Sequence, residues 1–142
     1  MAGETQDKGF AGEGMYRENI MDHFKHPHHF GKLEHADVEH KELNPVCGDT
    51  LSFQLVLDEK DKVKEVAFVC RGCAISMASA SMLSDELEGK SLKEITRMDK
   101  DTILGLLGIE LGPVRLKCAM LSLDTVKNAI HIYQKYPTKG GK

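Results

Sequence analysis

Four cysteines and one aspartate carry the chemistry of this 142-residue chain. They stand as Cys47-Gly48-Asp49, as Cys70-Arg71-Gly72-Cys73, and as Cys118 preceded by Lys117; there is no other cysteine. Each adjoins glycine, a turn residue or a basic residue, and none lies inside a long apolar run. Cysteines that only fill a core usually sit within strands or helix faces. Sulfur at chain reversals is placed to reach a metal, a cluster or another sulfur. Cys47, Cys73 and Cys118 as thiolates, with the Asp49 carboxylate, make four anionic donors, enough for a tetrahedral site. Zinc(II) fits such a set. So does a [2Fe–2S] cluster, whose usual ligands are four cysteines. A carboxylate is a harder partner for cluster iron than a thiolate is, so a site with one such ligand should hold its cluster less permanently. Gly48 lets the backbone turn so that Cys47 and Asp49 point one way. Lys117 can lower the pKa of Cys118 and favour its thiolate.

Each of these residues has a plainer reading. Asp after Gly is common in turns, so Asp49 could be a turn or cap residue. Cys70 is most simply a small side chain at a strand end. Its other readings are an alternative ligand or an oxidation partner of Cys73. Lys117 is equally well a solvated lysine. Six of the seven histidines lie between His23 and His40. His26, His28 and His29 share a polar loop containing proline, without partner spacing to the cysteines, and adventitious metal binding is the role that composition suggests.

The elements that must position these residues follow from periodicity. Residues 1–14, rich in glycine and charge, read as a disordered N-terminal arm. Tyr16, Ile20 and Phe24 share one face of a helix that His26-Pro27 ends. Residues 28–42 read mostly as loop, with an edge strand near Val38. Leu51, Phe53, Leu55 and Leu57 alternate as in a strand, and residues 63–69 return antiparallel after the turn at Asp58-Glu59-Lys60-Asp61. A helix is expected over residues 74–87, with small residues for close packing on a sheet. Ser91 and Glu94 form a capping box for a short helix over 92–98. Another short helix fits 101–107. The last helix, over about 115–136, buries Leu123, Val126, Ile130 and Tyr133 and puts Cys118 in its first turn. Residues 15–136 then form one α+β domain, with a small antiparallel sheet of about three strands and helices packed on one face. Residues 137–142 read as a flexible tail.

Composition sets the class. Hydrophobic residues at 41% and charged residues at 29% fit a globular domain. A formal charge of −3 gives no basic footprint for nucleic acid. No apolar stretch approaches the roughly 20 residues of a membrane helix, and the first residues lack a secretion signal. The expected location is the reducing cytoplasm, where grouped cysteines are metal-binding or catalytic more often than disulfide-bonded.

Three segments, in order, resemble one family: Asn44-Pro45-Val46-Cys47-Gly48-Asp49, Gly72-Cys73-Ala74-Ile75-Ser76-Met77-Ala78-Ser79-Ala80-Ser81, and Pro113-Val114-Arg115-Leu116-Lys117-Cys118-Ala119-Met120-Leu121. Together they are similar to the iron–sulfur cluster assembly scaffolds of the IscU, SufU and NifU N-terminal-domain family, and residues 16–31 resemble its opening helix and loop. The resemblance implies a compact α+β fold. It implies that Cys47, Cys73 and Cys118 are the cluster cysteines and Asp49 the family's aspartate. It also implies a scaffold rather than a turnover enzyme. Sulfur would come as persulfide from a cysteine desulfurase and iron from an iron donor. A [2Fe–2S] cluster would be assembled and passed to carrier or acceptor proteins.

The chain departs from the family pattern in places. IscU-type members carry His where Lys117 stands, and an ammonium cannot ligate, which within the family's frame leaves the fourth position to Asp49. Lysine here is a SufU-like trait, yet only 44 residues separate Cys73 from Cys118, with no room for the SufU insertion. The alternative is therefore a zinc-dependent, SufU-like sulfurtransferase in which Cys118 or Cys47 accepts persulfide sulfur. Leu111-Gly112-Pro113-Val114-Arg115 stands where IscU-type members carry a recognition stretch for an Hsp70-type chaperone, which leaves that partner open, as it does a homodimer. Cys70 is not among the family's three cysteines. A thiol–disulfide module using Cys70 and Cys73 is a third reading, but it lacks the βαβ pattern of thioredoxin-like proteins.

Overall fold

The structure, a computed structural model, describes residues 7–45 and 48–136, with side chains from residue 14 onward. Helix α1 (Asp7–Lys25) is followed by strands β1 (Val38–Asn44), β2 (Asp49–Leu57) and β3 (Val63–Arg71). Helices α2 (Ala74–Leu87), α3 (Leu92–Thr96), α4 (Lys100–Leu107) and α5 (Pro113–Lys135) complete the chain. The strands form one antiparallel sheet in the order β1-β2-β3. This is the α+β architecture expected from the sequence.

The alternation in β2 sets the geometry. Every odd-numbered residue from Asp49 to Leu57 is buried and every even-numbered one is half-buried. One face therefore meets the core. Its cross-strand partners share that face: Leu51 opposite Cys70, Phe53 opposite Phe68, Leu55 opposite Val66. The same period, continued back two residues from Leu51, puts the Asp49 carboxylate on the core-facing side.

Helix α2 is the centre of the molecule rather than one layer of it. Ten of its residues are buried, four of them serines. The small residues expected to pack on a sheet also meet two helices. Ser79 donates its hydroxyl hydrogen to the Ala119 carbonyl of α5 (2.7 Å) and lies 2.8 Å from Ser122 Oγ. Ser81 meets the α1 side of the molecule. Polar atoms buried at a helix–helix contact need partners, and groups on the neighbouring helices and loop supply them: Ala119 and Ser122 for Ser79, His23 and His28 for Ser81. Ser79 thus ties the helix that Cys73 caps to the helix that bears Cys118. Ser79→Ala is expected to cost about 1 kcal/mol, the net worth of a buried hydrogen bond. Ser79→Val, which adds volume at a fully packed contact, should cost more. Urea midpoints measure both.

Several boundaries and faces differ from the sequence reading. Helix α1 begins at Asp7, so residues 7–14 are helical rather than part of an arm. Extending an existing helix is far easier than nucleating one. Among the described side chains of α1, Ile20 and His23 are buried, whereas Tyr16 and Phe24 stay substantially exposed. His23 is inside because Ser81 offers its ring a hydrogen-bond partner. The segment before β2 contains a full seven-residue strand, β1, whose alternating Val38, His40 and Glu42 pair with Leu55, Phe53 and Leu51. The Ser91–Glu94 capping box forms, but α3 ends at Thr96 rather than residue 98. Helix α5 starts at Pro113, two residues before the expected Arg115, because proline is favourable at the first helical position. Its buried stripe includes Leu123, Val126, Ile130 and Tyr133, as its spacing indicates. Among the described residues, no helix is long and apolar enough to cross a membrane.

Candidate metal centre

Asp49, Cys73 and Cys118 converge. One carboxylate oxygen and the two sulfurs all lie within 4.8 Å of one another. The three come from the start of β2, the N-cap of α2 and the second turn of α5. The helix start at Pro113 puts Cys118 in the second turn rather than the expected first, and the residue is buried. Cys73 is exposed. Cys47 lies outside the described residues. The next residue, Gly48, takes φ 76° and donates its N–H to the Asn44 carbonyl at 2.8 Å. That left-handed conformation is the turn glycine is suited to make, and it opens the β1–β2 connection directly into Asp49.

A carboxylate at 5% exposure needs partners. Ser76, in the first turn of α2, donates its hydroxyl hydrogen to Asp49 Oδ2. The same Ser76 Oγ lies 3.5 Å from Cys73 Sγ, so one hydroxyl touches two of the converging residues. Cys73 caps α2 with no side-chain cap hydrogen bond, which leaves its sulfur to the cluster of donors. The first turn of a helix also favours negative charge.

Gly72 completes the cradle. In the β2–β3 register it falls opposite Asp49, next to the Thr50–Arg71 pair. A methyl group there would sit 2.6 Å from Asp49 Cγ and 2.9 Å from Oδ2. Gly72→Ala is therefore expected to displace the carboxylate and lower the affinity for an added metal ion by about 10–100-fold, the usual effect of disturbing the shell around a ligand. Competition with a chromophoric chelator measures it, and Arg71→Ala, at an exposed neighbour, should leave affinity unchanged. Neither Gly72 nor Ser76 stood out in the sequence as a site residue. The usable signal was the period of β2: a core-facing aspartate requires a donor opposite it and a small residue beside it.

The other two candidate residues take different places. Cys70 is buried in the hydrophobic core opposite Leu51. Burial first, then the nearby Asp49 and Cys73, pushes its thiol up to about 12. Its thiol stays protonated at neutral pH, and Cys70 and Cys73 are free thiols. With iodoacetamide at pH 8, Cys73 is expected to react in the folded protein and Cys70 only after unfolding. Mass spectrometry of the modified peptides decides it. Lys117 is exposed and lines an open groove with Asn44, Glu42 and Asp124. Burial, then the charge of Glu42, raises the Asp124 carboxyl above the usual range. Lys117 thus shares its groove with two acidic residues.

Two sulfurs and a carboxylate brought together where a strand and two helices begin define a compact α+β domain whose donor set suits a soft or borderline metal centre. The chain belongs to the NifU-like N-terminal domain family, whose model matches residues 15–140. It is 36% identical over 134 residues to the iron–sulfur cluster assembly scaffold protein IscU of Streptococcus pyogenes serotype M1, covering 82% of each chain. It is 32% identical over 131 residues to iron–sulfur cluster assembly protein 2 of Arabidopsis thaliana, covering 90% of this chain and 79% of that one. A solved structure from Fervidobacterium islandicum AW-1, described as an iron–sulfur cluster assembly scaffold for the SUF system, superposes with a TM-score of 0.69 at 29% identity. It covers 80% of this chain and 94% of that one.

Proposed function

We propose that the domain is a scaffold on which a [2Fe–2S] cluster is assembled from desulfurase-derived sulfur and iron and from which it is passed on, with Cys47, Asp49, Cys73 and Cys118 as its ligands. The convergence of Asp49, Cys73 and Cys118 within 4.8 Å carries this reading. Cys47 is two residues from Asp49, so the covalent chain alone keeps their Cα atoms within about 7.6 Å. The exposed Cys73 is the thiol open to an incoming persulfide. Its thiolate attacks the outer sulfur, one S–S bond breaks as another forms, and the donor leaves as a thiolate. Cys118, buried, holds what is built. The cluster is cargo here, so a ligand set containing one oxygen donor is an advantage: it is the point where exchange begins. The partners of this role are a cysteine desulfurase, an iron donor, and carrier or acceptor proteins, with an Hsp70-type chaperone and a second copy of the chain as further partners to test. The reducing cytoplasm suits a site built from thiolates.

Anaerobic reconstitution with iron, cysteine and a desulfurase is the test. A labile [2Fe–2S] chromophore, transferable to an apo-ferredoxin, is the expected result. The same chromophore in a chain lacking Cys47, Cys73 and Cys118 would refute the assignment. The mutual 4.8 Å spacing also favours a second reading, because a single zinc ion gathers its ligand atoms at comparable distances. In that reading the domain is a zinc-dependent sulfurtransferase. Stoichiometric zinc that resists replacement by iron in anaerobically purified protein would select it.

A further inference from the structure

A second group of metal-type donors lies elsewhere on α2. His23, His28 and Asp85 each offer a ligand atom, and these atoms are all within 4.8 Å of one another. Asp85 is twelve residues beyond Cys73 along α2, so about 18 Å of helix separates the two groups. His23 comes from the buried side of α1, His28 from the loop after it, and Asp85 from the exposed face of α2.

Each donor is held in place by its neighbours. His23 Nδ1 lies 2.6 Å from Ser81 Oγ, which also accepts the His28 backbone N–H at 2.8 Å. The tautomer with hydrogen on His23 Nδ1 fills the remaining lone pair of Ser81 and leaves Nε2 with its own lone pair. A ligating histidine is ordinarily fixed through its other nitrogen in just this manner. The rings of His23 and His28 are 4.4 Å apart between centroids. Two imidazoles that close repel each other once protonated and suit a shared cation when neutral. His28 Nδ1 meets Asp85 Oδ2 at 2.7 Å, and His29 Nε2 meets the other oxygen, Oδ1, at 3.1 Å. His29 adopts φ 60°, and both consecutive rings reach the one carboxylate. His29 also stands 3.6 Å from Glu88 Oε1.

We propose that His23, His28 and Asp85, with His29 beside them, form a second metal site that takes a divalent late first-row transition ion of the zinc(II) or iron(II) class. Two imidazoles and a carboxylate are the donor set such ions favour, and they exclude magnesium and calcium, which take oxygen alone. Ligand atoms of a tetrahedral zinc site lie about 3.4 Å apart, from zinc–ligand distances near 2.1 Å. No pair here therefore has to close by more than about 1.4 Å, within the reach of a loop and an exposed helix face. The site stands whether or not the cysteine centre assembles clusters. His26, which the sequence groups with His28 and His29, is exposed and outside the cluster, and His23 takes its place.

Cobalt(II) titration of the full chain tests this, because the two sites differ in colour. The cysteine site gives near-ultraviolet thiolate-to-cobalt charge transfer, and a nitrogen–oxygen site gives only weak visible bands. The wild-type chain is expected to bind two equivalents, one of each type. His28→Ala and Asp85→Asn should each weaken the second by at least about 100-fold while the charge-transfer band of the first persists, which also shows that the variant is folded. His26→Ala should leave both intact. Thermal melts should show cobalt stabilising the wild type more than either site variant. No nitrogen–oxygen equivalent in the wild type, one untouched by both site variants, or one lost equally in His26→Ala would overturn the proposal.

Discussion

Replacing Cys118 or Cys73 with alanine is expected to abolish the reconstituted chromophore and to weaken zinc binding by more than about 100-fold. Disturbing residues around a ligand costs about 10–100-fold, and removing a thiolate from a four-donor set should exceed that. The two variants should differ in stability. Cys118 is buried on α5 amid the core cluster, so its loss also removes packed volume, at a cost of about 1–2 kcal/mol. Cys73 is an exposed N-cap that makes no cap hydrogen bond to the helix backbone, and its one side-chain contact is a long one to Ser76 Oγ, so its alanine variant should stay close to the wild-type urea midpoint. Absorbance after anaerobic reconstitution, paired with the midpoints, separates loss of a ligand from loss of the fold. A Cys73→Ala protein that is fully folded yet retains the chromophore would remove Cys73 from the ligand set. Cys70→Ser is the informative contrast, since its thiol is buried in the core cluster opposite Leu51. Its variant should keep the chromophore.

Asp49→Ala is expected to slow cluster release about tenfold, equivalent to about 1.4 kcal/mol on the barrier. The carboxylate offers an incoming acceptor thiolate the weakest bond to displace. Without it, exchange must begin at a sulfur. Stopped-flow transfer to an apo-ferredoxin reads the rate directly. Faster loss in the variant would mean that Asp49 anchors the cluster instead of releasing it. Asp49→Asn serves as the control for structure, because its amide oxygen can still accept the Ser76 hydroxyl that the carboxylate holds. A fold change common to Ala and Asn then belongs to the lost charge. A change in Ala alone belongs to the lost hydrogen bond.

The sheet was legible because the apolar alternation of β2 and its return in β3 obey the two-residue period that a half-buried sheet demands. The α5 stripe and the Ser91–Glu94 box were legible for the same reason: each is written in local spacing. The start of α1 was not, since a helix already packed elsewhere extends at little cost through residues with weak signals of their own. The burial of His23 in place of Phe24 was also unreadable. It depends on Ser81, 58 positions away in the chain.

The sequence by itself determined the donor chemistry: which residues carry thiols and carboxylates. It also set Cys70 apart by its place at a strand end. Tertiary structure decided what those donors meet. It joined Asp49 to Ser76 and set Gly72 against the carboxylate. It buried Cys118 in the second turn of α5 and drew His23 and His28 onto Asp85. The division has one physical cause. Residue type and backbone period are local properties. The partner of a buried polar group is chosen by how helices and sheet close over a shared core.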